Sequence, residues 1–122
     1  GSEMCIRDRI KGSFKRTGSG RIVSFELTGH AEAGPYGSDV VCAAVSALAI
    51  STVNGIDALA GFEPIVEVDD VEGGYLYVEM LTTVNQEQKN IAQILLENLL
   101  LGLQSIENEN TEFIQIKTIT EK

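Results

Sequence analysis

Only one histidine and two cysteines, Cys5 and Cys42, occur among the 122 residues. A disulfide-stapled secreted scaffold needs more cysteines, and a Cys/His-rich zinc site needs more of both residues. No metal and no cofactor is expected. Lys and Arg are scarce as well: nine, against eighteen Asp and Glu, for a formal net charge of −9. Six of the nine basic residues fall within residues 1–21, leaving three basic and sixteen acidic over 22–122. Nucleic-acid binding relies on clustered Lys and Arg that displace phosphate counterions, and this acidic body repels phosphate. A basic protein is the better electrostatic partner. No apolar run approaches the roughly 20 residues that cross a bilayer, because Asn, Ser and Gly interrupt the greasy stretches. The reading is a cytoplasmic protein with no membrane or direct nucleic-acid partner, in which Cys42 stays reduced.

What is present suffices for one core. The chain is 43% apolar and 22% charged, a balance that a disordered chain lacks, and its length fits a single domain. Residues 1–9, GSEMCIRDR, show no periodicity. They read as a leader or tag-derived segment in which Cys5 is an incidental thiol, and residues 10–122 form the domain.

Ile10, Gly12 and Phe14 alternate with Lys11, Ser13 and Lys15, as a strand does; Val23, Phe25 and Leu27 alternate likewise beyond the turn at residues 17–20. Residues 29–37, GHAEAGPYG, carry three glycines and a proline and read as a loop. Ser38 and Asp39 open a helix that runs to about Leu59, with Gly61 as its stop and an Ala-rich early part that lets another backbone approach closely. A hairpin joins 65–69 to 75–80 around Glu72-Gly73-Gly74. A second helix spans about Gln86 to Ile106, and a last strand covers 113–119. Ile91, Leu95, Leu99, Leu103 and Ile106 form that helix's main stripe. Leu96, Leu100 and Leu101 beside it exceed what one face needs, which means either deep burial or a homodimer surface.

The expected fold is α+β, in the order β-β-α-β-β-α-β: a five-stranded, largely antiparallel sheet packed with two helices. A three-layer α/β/α sandwich is the alternative.

The chemistry gathers in residues 28–46, TGHAEAGPYGSDVVCAAVS. His30 stands where a strand ends. Cys42 follows after eleven residues, near the start of a helix. Helix-start N–H groups and the macrodipole stabilise a thiolate, which is the nucleophilic form of cysteine. A strand end and the next helix start can be neighbours in space, so His30 can take the thiol proton and later give it to a leaving amine. The same residues also fit an inert packed cysteine and an incidental histidine. Asp39, three residues before Cys42, complements the helix dipole or orients His30. An anion there opposes a thiolate, so any role it has serves the histidine or the loop. Ser46, one turn after Cys42, bonds a helix carbonyl or touches the sulfur. Gly29, Gly34 and Gly37 supply hinges around Tyr36 in a mobile loop.

Gly29-His30-Ala31, Gly34, Tyr36-Gly37, Asp39, Val41-Cys42-Ala43 and Ser46 together closely resemble the signature of the ribosomal-processing cysteine proteases, the Prp family. The resemblance extends from residue 10 to about 122. It implies a cysteine endopeptidase with His30 and Cys42 as its dyad, homodimeric and metal-free, that cuts after an aromatic residue. Its implied substrate is the N-terminal extension of large-ribosomal-subunit protein twenty-seven, a basic protein that suits the acidic body. The competing reading is a non-enzymatic acidic dimer that binds a basic ribosomal protein.

Overall fold

A computed structural model of the chain describes residues 10–29, 38–69 and 74–121, with the side chains of Ser38 and Asp39 excepted. The leader and its Cys5, and the hairpin tip at 70–73, lie outside the described residues.

Strands β1 (Ile10–Arg16) and β2 (Ile22–Thr28) are followed by helix α1 (Ser38–Gly55), which passes directly into a π-helical turn, Ile56–Ala60. Strands β3 (Ile65–Asp69) and β4 (Tyr75–Glu79), helix α2 (Gln86–Glu109) and strand β5 (Ile114–Thr120) complete the order. The sheet runs β3-β4-β2-β1-β5. Three of its pairings are antiparallel, while β5 lies parallel to β1. It is therefore a mixed α+β sheet.

One sheet face is apolar because the strands alternate. Ile10 and Phe14, Phe25 and Leu27, Leu76 and Val78, and Ile114 are all buried. They meet Val41, Val45, Ala49 and Ile56 from α1 and Leu96, Leu99 and Leu103 from α2 in a single cluster. Phe14 and Phe25 face each other across the β1–β2 ladder, with ring centroids 5.3 Å apart and planes at 18°. Burying side chains of this size contributes about 1.5–3 kcal/mol each. Both helices share one core against that face, so the arrangement is two-layered.

The structure shifts three sequence expectations. The β1–β2 register slips between Lys15 and Arg16, where Arg16 pairs with Ile22. The extra residue, Val23, reverses the parity of β2, so Ile22 is buried although strict alternation turns it outward. The stripe of α2 is also rotated. Leu96 and Leu100 are 0% and 4% exposed within this one chain, whereas Leu101 is 63% exposed. Leu96 and Leu100 are core residues, which removes them as a surplus dimer surface. Finally, Val40–Ala60 forms 21 helical residues that are long and apolar enough to cross a membrane, contrary to the expectation of short runs. One face of it packs inward: Val41, Val45, Ala49, Thr52 and Ile56 recur at helical spacing and are buried.

The ends of both helices follow from their residues. Asn85 caps α2 through a box in which its side chain accepts from the Gln88 N–H while the Gln88 side chain accepts from the Asn85 N–H. Gly61 ends the first helical run at φ +81°, and its N–H bonds the carbonyl of Ile56 at 3.1 Å. That wider ring is what makes the last turn π-helical.

Candidate active site

Cys42 is the fifth residue of α1, one turn inside the helix start. Its side chain is buried and carries no disulfide. Its Sγ donates to the carbonyl oxygen of Gly29 at 3.7 Å. Gly29 ends β2 and is fixed in turn, because its N–H donates to the Gly74 carbonyl at 3.1 Å. Both glycines hold left-handed backbone, φ +80° at Gly29 and +95° at Gly74, a region that side chains disfavour. β2 and β4 pair antiparallel up to Thr28 and Tyr75. The strand pair thus delivers Gly29 to the sulfur, and Gly74 braces it from behind.

The adjacency expected between the end of β2 and the start of α1 is therefore present at the residue that precedes His30. His30, Gly34, Tyr36 and Gly37 lie outside the described residues, as does the side chain of Asp39. Ser46 is half-buried one turn beyond Cys42. Gly29 was expected to belong to a mobile loop. In the structure it is buried and hydrogen-bonded through both its N–H and its carbonyl. Sequence reasoning gave Gly74 only a turn role. Its partnership with Gly29 depends on strand register, which no local motif reports.

The environment of Cys42 includes apolar packing and the Gly29 carbonyl. Val41 and Val45 flank it in the core, and a position near a helix start favours negative charge. Such a place suits a nucleophile whose attack builds negative charge on a neighbouring carbonyl oxygen. Among the described residues, no group of His, Cys, Asp or Glu could hold a metal ion.

Residues 9–115 match the family described as cysteine protease Prp. The chain belongs to that family. It is 36% identical over 109 residues to the ribosomal processing cysteine protease Prp of Bacillus subtilis, covering 89% of this chain and 96% of that one. It is 37% identical over 97 residues to the Staphylococcus aureus protein of the same name, covering 80% of this chain and 87% of that one. A crystal structure from Streptococcus mutans superposes with a TM-score of 0.85 at 36% identity, over 93% of this chain and 97% of that one. The S. aureus Prp protease solved in complex with a substrate peptide superposes at 0.77 with 30% identity, over 89% and 98%. The Prp assignment makes this chain a cysteine peptidase, and its α+β fold is that of its Prp structural neighbours.

Proposed function

We propose that this chain is the endopeptidase that removes the N-terminal extension of large-ribosomal-subunit protein twenty-seven, with Cys42 as nucleophile and His30 as general base and acid. The observation that carries the reading is the 3.7 Å contact between Cys42 Sγ and the carbonyl of Gly29, the residue next to His30 in the chain. Names support it too: relatives from two organisms are called ribosomal processing proteases, and one was solved with a covalently linked product peptide.

In this mechanism His30 takes the Cys42 proton, and the thiolate adds to the scissile carbonyl carbon. The N–H groups of the first turn of α1 receive the oxyanion. The tetrahedral species collapses as His30 passes its proton to the leaving amine, so the C–N bond breaks and a thioester remains on Cys42. Water then gives a proton to His30 and its hydroxide to the thioester carbonyl. The thioester C–S bond breaks, and the carboxyl product leaves with Cys42 restored. Asp39 and Ser46 support this pair. The segment 31–37, with Gly34, Tyr36 and Gly37, closes over the bound peptide and excludes water.

The acidic chain, at −9 overall, favours a basic ribosomal protein in the cytoplasm as substrate. The enzyme acts as a homodimer. Val40, Ala43, Ala47 and Ile50 recur at three- and four-residue spacing along α1 and are all exposed, an apolar stripe that a second copy would cover.

Incubation with the extended ribosomal protein, followed by intact mass, tests the reading. Loss of one N-terminal peptide is expected, with none lost in Cys42→Ala. An uncut substrate, or cutting that persists in Cys42→Ala, overturns it.

A further inference from the structure

A cavity of about 480 Å³ lies at the opposite end of β2 from Gly29. It opens between the β1–β2 turn, the segment that follows β4 and the first turns of α2. Its size falls within the range of small-molecule sites, roughly 300–1,000 Å³. Residues Phe25–Thr28 of β2 lie between its lining and Gly29, the residue that meets Cys42, on the order of 13 Å of strand.

The lining divides by chemistry. Phe62, Met80, Val84 and Ala92 supply an apolar floor. Lys15, Arg21 and Lys89 supply cations, and Glu79 and Glu121 supply anions. The wall therefore carries more positive than negative groups in a molecule of net charge −9. Several of these groups are already engaged. Lys15 pairs with Glu121 at 2.8 Å, and Glu79 accepts from the Tyr77 hydroxyl at 2.6 Å. Among the described residues, the ion pairs involve Lys15 and Arg16 but neither Arg21 nor Lys89.

Lys89 is also placed against its own helix. It is the fourth residue of α2, where the macrodipole is positive and a cation is disfavoured. An anion in the cavity would relieve that repulsion, meet the Arg21 guanidinium and lie toward the helix N-terminus. Gln93 holds the cavity's inner wall in place. It accepts from the Ile22 N–H at 2.9 Å and donates to the Ile22 carbonyl at 2.6 Å, which clasps α2 to the start of β2.

We propose that this cavity binds a small amphipathic carboxylate, with its anionic head between Arg21 and Lys89 and its apolar chain against Phe62, Met80 and Val84. The site is separate from the cysteine centre, so it stands whether or not the proteolytic assignment holds.

Sodium decanoate, below its micellar concentration, is the probe. Titration into ¹⁵N-labelled protein should give saturable amide shifts at Ile22, at residues 80–84 and at residues 89–93, with the same affinity after Cys42 is alkylated. Acetate at equal concentration and the decyltrimethylammonium cation should produce none. The double variant Arg21→Glu/Lys89→Glu should weaken decanoate binding at least tenfold, while Arg21→Lys/Lys89→Arg keeps it. Absence of saturable shifts, equal binding of the cationic chain, or unchanged affinity in the charge-reversed protein with a native spectrum would overturn the proposal. Shifts confined to residues around Cys42, and abolished by its alkylation, would place the ligand in the protease site and also overturn it.

Discussion

A thiol that donates to a carbonyl gives up that hydrogen bond when it ionises. Cys42 therefore rests as the donor in its contact with Gly29, and activation requires a base that takes the proton from the same place. His30 follows Gly29 directly. Replacing Cys42 with Ala or Ser is expected to lower cleavage at least about a thousandfold with the thermal unfolding curve kept, because the proposed nucleophile is lost. Cys5→Ser should cleave at the wild-type rate, and a matching loss there would identify the wrong sulfur. Gly29→Ala introduces a Cβ at φ +80° and is expected to cost about 1 kcal/mol or more of stability. It should also slow cleavage more than a distant variant of equal instability, since it moves the carbonyl against which the sulfur rests. Chemical denaturation paired with initial rates separates the two effects. Cys42 and His30 were legible as the candidate pair from residue type and from the family signature. The hydrogen bonds of Gly29 were not, because its N–H and carbonyl partners depend on strand register and on helix packing.

Among the elements, the strands and helices were largely legible because their apolar periods are clean. The misread parts are those where a tertiary constraint overrides the period. Ile22 turns inward because of a bulge, and the apolar face of α2 is rotated to Leu96 and Leu100 because α1 and the sheet approach it from that side. One tie between elements titrates. Arg16 at the end of β1 grips Glu97 of α2 with two bonds, 2.6 and 2.9 Å. The hydrogen bond from Arg16 holds the Glu97 carboxyl below its ordinary value, with burial opposing and Coulomb attraction assisting. A carboxyl depressed in the folded state stabilises fully above its unfolded value, and that contribution is lost as pH falls through the lower folded value. Glu97→Gln should therefore flatten the acid limb of the stability curve as pH falls below the ordinary carboxylate range and leave its slope near neutrality unchanged. An unaltered acid limb, measured by urea unfolding, would show that the pair carries no linkage.

At the scale of the whole molecule, charge and exposed apolar surface set what it meets. Ile50, in the proposed dimer stripe, is 57% exposed. Ile50→Glu would bury a carboxylate at a two-fold contact, so sedimentation should show monomer where the parent chain sediments as a dimer. Wild-type chain that is already monomeric at micromolar concentration would dismiss the stripe. Raising salt from 50 to 500 mM should slow association of a basic substrate peptide far more than the step that follows, because screening removes steering but not contact chemistry. A salt-independent association rate in stopped flow would refute the steering. The parallel pairing of β1 with β5 has a consequence in time. The Ile10 N–H bonds the Phe113 carbonyl at 2.7 Å, the Glu121 N–H bonds the Arg16 carbonyl at 2.7 Å, and Ile114 is buried beside them. The first described strand thus waits for the last one. While the chain is being made, β2 and β4 can zip together and α1 can dock, but β1 keeps an open edge over a core that is not yet sealed. A protease folded in this order closes its sheet only after residue 120 has left the ribosomal exit tunnel. Any chain cut short before β5 therefore carries an open β1 edge.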